Sequence, residues 1–339
     1  MSSRSNHGKP NPSHGAAQTP AYLSVQGQGA GPDKATVAQI KDVVRRSWAV
    51  LRDADDLSPD NPAINVALTE LVDTVAKRHD TATVRAVVDA PEVRQIMKPM
   101  WEKLSEAEGA MEMWWAKRFN SARTLHLDSG MKKRESDAAL DDFWYRDNYT
   151  ELTQLEVKHW AGQGKAPTKD SHVVFVGSGP LPMTAIDMHL QTGAKITCVD
   201  IDPEAVRQSR ALLRKLNLDR AITVVEGKGE DVDYRGVTHA MVAALVPEQP
   251  KTVAKVLEAS PTAMIGVRSA SGLRTILYPP ADTRALKAMG LQYTGASAIN
   301  ERVINTLLTF NPGPKLNLDQ IPPAPKKNCA SCDNTDSLT

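Results

Sequence analysis

The sequence predicts an α/β protein: a doubly wound, mostly parallel sheet in the second half, preceded by a helical domain. Three observations carry that reading. Beyond residue 170, short β-rich apolar runs alternate with helical patterns, as they do when helices cover both faces of a parallel sheet. The last two such runs are separated by only a few residues, which suits an antiparallel pair and is too short for a crossover. Before residue 161, apolar residues recur at steps of three and four, the period of one helix face.

In chain order, residues 1–34 are rich in Ser, Gly, Pro, Asn and Gln, with almost no large apolar side chains. Such a segment buries too little surface to offset its ordering entropy, so a disordered extension is expected. A first helix carries Val37, Ile40, Val44, Trp48 and Leu51 on one face. A second starts at Asn61-Pro62, an N-cap followed by proline at the first helical position. Ile64, Leu68, Leu71, Val72 and Val75 form its apolar stripe. A third is expected from about Pro91 to Phe119, bent at Pro99, and a fourth from about Asp137 to Trp160. Residues 35–161 therefore read as a helical bundle serving as a substrate or lid domain.

The pattern breaks at residues 162–170, GQGKAPTKD. Strands are then expected at His172–Ser178, Lys195–Ile201, Ala221–Gly227, Thr238–Leu245 and Ala263–Ser269. The runs VVFVG and ITCVDI suit strands covered on both faces, and Pro203–Leu216 reads as a helix. Leu291–Ile299 and Arg302–Phe310 supply the antiparallel pair. A parallel sheet ending in an antiparallel hairpin is the Rossmann-like arrangement of class I methyltransferase-type domains, here spanning 170–311. Residues 312–339 read as a flexible tail. Cys329 and Cys332 in it offer half a zinc site with no nearby histidine, too few ligands to hold the metal.

Composition narrows the function classes. A formal net charge of +1 over 339 residues gives no electrostatic case for nucleic acid or acidic membranes. No apolar stretch reaches the roughly 18 residues that a membrane span needs, and the first residues lack a secretory apolar core. Three cysteines in the whole chain suit a reducing compartment. A cytoplasmic protein is expected. The scattered histidines form no HxxH or HExxH pattern, so no metal is expected. A homodimer is left open, because Met, Trp and Leu side chains that would make its face also make cores.

The first strand runs into Gly177, Ser178, Gly179 and Pro180, where glycines let the backbone turn and approach a ligand closely. The second ends in Asp200, placed to accept hydrogen bonds from both hydroxyls of a ribose. NAD and S-adenosylmethionine both fit so far. The loop GSGPLP lacks a third glycine and fits poorly around a pyrophosphate, and Glu230 and Asp231 after the third strand are placed to meet an adenine amino group. With the closing hairpin, these favour S-adenosylmethionine. Asp200 and Asp202 have a plainer alternative in capping the helix at Pro203.

The chain resembles nicotianamine synthases over most of residues 50–310. GSGPLPMTAI with DIDPEA resembles that family's cofactor loop and ribose-binding strand. LSEAEGAMEMWW resembles its EAEG helix, and FWYRDNYTELTQLE its aromatic segment before the first strand. AALV, RSASGLRTILYP and RVINTLL resemble the ends of later strands. The resemblance implies transfer of the 3-amino-3-carboxypropyl group of S-adenosylmethionine to an amine, with release of methylthioadenosine. It places Ile201 and Ala244 among the cofactor contacts. An attacking amine must be neutral, and Glu108 with Tyr145 are the candidates for taking its proton. Glu106 and Glu112 are alternatives, and Glu108 and Glu112 share a helix face. Asn148, Tyr149 and Arg268 are candidates for the substrate, Asn148 for the carboxylate of S-adenosylmethionine or else as a turn cap, and Arg268 as a fork for a carboxylate or else as a structural salt bridge. Trp144, Tyr145 and Tyr149 offer an aromatic wall for the sulfonium, or core packing.

The chain departs from the family in its polar N-terminal extension and in LHLDSGMKKRESDAALDD, so the acceptor stays open. A competing reaction is cyclisation, in which the α-amine of S-adenosylmethionine attacks its own γ-carbon to give azetidine-2-carboxylate. An ordinary methyltransferase and a non-catalytic cofactor-binding protein are the remaining readings.

Overall fold

A computed structural model describes residues 31–318. Most of the expected extension and tail, with Cys329 and Cys332, lies outside these residues. Helix α1 (Lys34–Asp53) is capped by Asp33, whose side chain accepts the Ala35 and Thr36 amides. Helix α2 (Pro62–Ala76) begins with proline behind the Asn61 cap, as the sequence predicts. A short helix not expected from periodicity, α3 (Thr81–Val88), follows the Asp80 cap, which accepts the Thr83 amide. Helix α4 (Pro91–Ser121) runs unbroken through Pro99.

The fourth expected helix is a correction. Residues 137–145 are not helical. Strand β1 (Leu125–His126) pairs in parallel with β2 (Ala138–Ala139), and Asp142 accepts the Ala139 amide and holds Lys132. Those local bonds compete with a helix for the same backbone. Helix α5 spans only Arg146–Gly162. It leans on the sheet side, where Arg146 pairs with Asp187 of α6 (Met183–Thr192). Trp160 of α5 is wholly buried in the cluster around Phe175 and Leu307.

The sheet follows. Strands β3 (His172–Val176), β4 (Lys195–Asp200), β5 (Ile222–Glu226), β6 (His239–Val242), β7 (Met264–Ser269), β8 (Leu291–Ala296) and β9 (Thr306–Pro312) lie in the order β5-β4-β3-β6-β7-β9-β8. Strands β3 to β7 are mutually parallel, and β9 runs antiparallel to both β7 and β8. Helices α7 (Pro203–Lys215), α8 (Gln249–Ala259) and α9 (Thr283–Ala288) complete the layers. The β8–β9 connection is longer than a tight hairpin, covering residues 297–305. Residues 313–318 are not a free tail either: Leu316 and Leu318 pack on the core, and the Asn317 amide donates to Met289.

The two faces of the sheet bury separate clusters, one containing Phe175, Cys198 and Met241, the other Val174, Val199 and Val242. That double coverage explains the near-continuous apolar strands. A third cluster holds α1 to α4 together with Leu273, Ile276 and Leu277. Helix α4 joins two clusters: Leu104 and Ala107 belong to the helical one, Trp115 and Phe119 to the sheet one. The stretch between them opens on a cavity. Among the described residues no helix is long and apolar enough to cross a membrane.

Candidate active site

A cavity of about 760 Å³ lies at the carboxyl ends of β3, β4, β6 and β7, closed by α4, the start of α5 and the β8–β9 connection. This is the edge where ligands bind in open parallel sheets. The loop after β3 makes one wall. Gly177 and Gly179 have φ of 80° and 67°, which only glycine adopts without strain. A Cβ at Gly177 would press on the Val246 side chain at 2.6 Å.

Asp200, the last residue of β4, accepts the Gly179 amide at 2.7 Å and the Asp202 amide at 3.0 Å. It is Asp202 that caps α7, accepting the Glu204 amide. Asp200 is therefore free of that structural duty, and it lines the cavity with Gly177, Ser178, Gly179, Pro180, Ile201, Glu230 and Ala244. Ile201 is exposed at 63%, an apolar side chain held open at a cavity wall. Asp231 is a correction. It is exposed and does not line the cavity. The turn closed by its amide on the Lys228 carbonyl leaves only Glu230 of the two acids on the wall.

The opposite wall carries two acids one turn apart on α4. The Tyr278 hydroxyl donates to Glu108 Oε1. The Tyr149 hydroxyl donates to Glu112 Oε1 at 2.5 Å. Glu112 Oε2 reaches across to the glycine loop, so that a Cβ at Gly179 would collide with it. Both carboxyls face the cavity instead of bulk water. Burial pushes Glu108 up to about 7, against the lowering effect of the Tyr278 hydrogen bond. Burial raises Glu112 to about 8, with the Tyr149 bond opposing and the negative charges of Glu108 and Asp200 adding. Tyr149 and Tyr278 are held well above the usual phenol range, burial first and the nearby acids second. Both therefore stay neutral donors.

The sequence-predicted residues divide. Glu108, Tyr145, Asn148, Tyr149 and Arg268 all line the cavity. The tyrosine bonded to Glu108 is Tyr278, however, and not Tyr145. Tyr145 stands beside them, its ring edge-on to Tyr149 at 5.9 Å. Asn148 donates to the Arg302 carbonyl at 2.7 Å and so ties α5 to the β8–β9 connection. For Arg268 the structural salt bridge, and not the substrate fork, is the reading that the structure bears out: its guanidinium is taken by Glu156, at 2.8 and 3.0 Å, and by Thr184. Arg268 and Glu156 are 5% and 0% exposed. Trp144 is half-exposed and off the cavity lining. Tyr278 lies within RSASGLRTILYP, and its place in that segment is its one sequence signal. Glu112 had the i, i+4 spacing to Glu108 as its one signal.

The family model described as nicotianamine synthase protein matches residues 32–312. Nicotianamine synthase 9 of Hordeum vulgare is 28% identical over 273 residues, covering 77% of this chain and 75% of its own. An L-histidine 2-aminobutanoyltransferase of Yersinia pestis is 32% identical over 109 residues, 32% of this chain and 41% of its own. The solved structure of MtNAS in complex with MTA and tNA shares the fold at a TM-score of 0.67 and 23% identity, covering 82% of this chain and 98% of that one.

Proposed function

Since the chain belongs to the nicotianamine synthase family, we propose that it transfers the 3-amino-3-carboxypropyl group of S-adenosylmethionine to an amine and releases methylthioadenosine. The observation that carries this is the continuity of one cavity between two unlike walls. Asp200 and the glycine loop stand on one side, and Glu108 and Glu112 with their tyrosines on the other.

The residues fit the substrate. Asp200 offers carboxylate oxygens to the ribose hydroxyls, the positive-φ glycines admit close approach, and Ile201 with Ala244 offers apolar surface to the adenine. The acidic lining suits a sulfonium cation. About 760 Å³ lies in the upper half of the usual ~300–1,000 Å³ range for small-ligand sites, which supports room for an acceptor beside the donor.

Glu108 takes the proton of the attacking amine. A base with a pKa near the working pH combines the right protonation state with enough basicity, and burial brings Glu108 there. The amine nitrogen then bonds to the γ-carbon, and the carbon–sulfur pair leaves with methylthioadenosine. All three carbons on the sulfonium are electrophilic, so orientation decides which one reacts. Placing the base on α4, across the cavity from the loop, favours the aminocarboxypropyl arm.

The test is incubation with S-adenosylmethionine alone, and then with amino acids, with every product identified by mass spectrometry. Methylthioadenosine with an adduct of the aminocarboxypropyl group is expected. Methylthioadenosine with azetidine-2-carboxylate would mean that the donor's own amine attacks. S-adenosylhomocysteine without methylthioadenosine would replace this reading by methyl transfer.

A further inference from the structure

The two acids of α4 differ in their surroundings. Glu112 faces the sheet: its Oε2 abuts Gly179, whose amide is held by Asp200. Glu108 faces the helices, bonded to Tyr278, which belongs to the cluster of α1 to α4. One turn of helix, a rise of about 6 Å, separates them.

We propose that Glu112, oriented by Tyr149, holds the α-ammonium of the donor's aminocarboxypropyl arm and so keeps that amine from attacking its own γ-carbon. The proposal rests on the transfer reading above. With the ribose at Asp200, the donor passes Gly179, and its arm meets α4 first at Glu112. The positive charge of the ammonium favours the ionised form of Glu112 and offsets the burial that raises it; the carboxylate then accepts N–H bonds from that ammonium, and a fully protonated nitrogen has no lone pair to offer carbon. Anchored there, the arm turns its γ-carbon towards Glu108.

The transfer step then balances. The acceptor nitrogen forms its bond to the γ-carbon, the C–S bond breaks with its pair going to sulfur, and the acceptor's proton passes to Glu108. Without the anchor, a deprotonated α-amine closes an azetidine ring on the same carbon with the same leaving group. Glu112 is thus the residue that selects transfer over cyclisation.

The full-length protein and its Glu112→Gln variant are compared by calorimetry with S-adenosylmethionine and by mass spectrometry of the products. The variant is expected to bind S-adenosylmethionine about 10-fold more weakly or worse, in line with loss of one charge-assisted contact. Its ratio of azetidine-2-carboxylate to intermolecular product should rise several-fold, with methylthioadenosine still released. A donor analogue lacking the α-amino group isolates the contact even without turnover. It should bind the wild type about 10-fold more weakly than the natural donor, and bind the variant no more weakly than the natural donor does. Tyr149→Phe keeps the carboxylate and should shift the product ratio the same way by less, so a folding defect in the first variant does not end the test. An unchanged product ratio, or equal losses for donor and analogue, overturns the proposal and leaves transfer intact. S-adenosylhomocysteine from the wild type overturns the transfer reading itself, and this proposal with it.

Discussion

Tyr278 and Glu108 stand 170 residues apart in the chain and meet in a hydrogen bond, the hydroxyl donating to the carboxyl. The bond ties the segment after β7 to α4, and it keeps a buried acid partly compensated. A buried carboxylate that accepts a hydrogen bond loses less by ionising than one without. Burial raises the proposed base, and this bond draws it part of the way back.

Replacing that base is the first prediction. Glu108→Gln keeps the shape and can still accept from Tyr278, but it cannot take a proton. Turnover should fall by roughly 10²- to 10⁴-fold, the usual contribution of a positioned general base. S-adenosylmethionine affinity should change little. Initial rates of methylthioadenosine release with calorimetric binding check both halves, and a variant that binds normally and turns over normally would remove Glu108 from the chemistry.

The pH dependence follows from the same residue. Activity should rise with pH and level off above about 7, where Glu108 becomes ionised. Tyr278→Phe removes a hydrogen bond that favours the charged form, so the rising limb should move to higher pH. Stability runs the other way. The folded value of about 7 lies above the ordinary 4.5, so the folded protein holds a proton that the unfolded chain has lost. That contribution is complete below about 4.5 and is lost as pH rises through about 7. Thermal melting of Glu108→Gln across this window should show a flatter dependence than the wild type.

Asp200 gives a binding prediction. Asp200→Asn retains one acceptor oxygen for Gly179 or the ribose and loses the charge. Hydrogen bonds to charged groups contribute about 1.5–3 kcal/mol, so S-adenosylmethionine binding should weaken by roughly 10- to 100-fold. Binding unchanged within twofold would leave Asp200 as a brace for the loop alone.

Arg268 gives a stability prediction. Arg268→Ala strands the buried Glu156 carboxylate, a defect that costs about 3–5 kcal/mol in comparable pairs. Urea denaturation should register it as a lower midpoint. The double variant Arg268→Met, Glu156→Leu should recover most of the loss, since apolar packing can replace a buried pair. No recovery would mean that Thr184 and the Phe175 ring, 5.1 Å beneath the guanidinium, matter more than Glu156.

Much of this architecture was legible in the sequence. The strands announced themselves because both faces are covered, which writes an unbroken apolar run in VVFVG and ITCVDI. The caps at Asn61 and Asp202 each act over two residues, so they read directly. The glycine loop and Asp200 were found because their chemistry is local to two strand ends. What was missed depends on distant partners. Tyr278 gains meaning only by meeting Glu108. Arg268 looked available because Glu156, an acid in the middle of a helix, gives no sign of being wholly buried. The stretch from Asp137 to Phe143 has helical periodicity, yet its aspartates bind nearby amides and Lys132 instead. Asp231 and Glu230 are adjacent in sequence, and only the turn geometry sets one on the cavity and the other off it.

Aminocarboxypropyl transfer requires attack at the γ-carbon of the donor's arm. The most direct measurement uses two preparations of S-adenosylmethionine, one labelled with ¹³C in that arm and the other in the methyl group, each incubated with the protein and its acceptor. The arm label is expected in a new amine adduct and the methyl label in methylthioadenosine. Methyl label on the acceptor, with the arm label retained in S-adenosylhomocysteine, would contradict aminocarboxypropyl transfer.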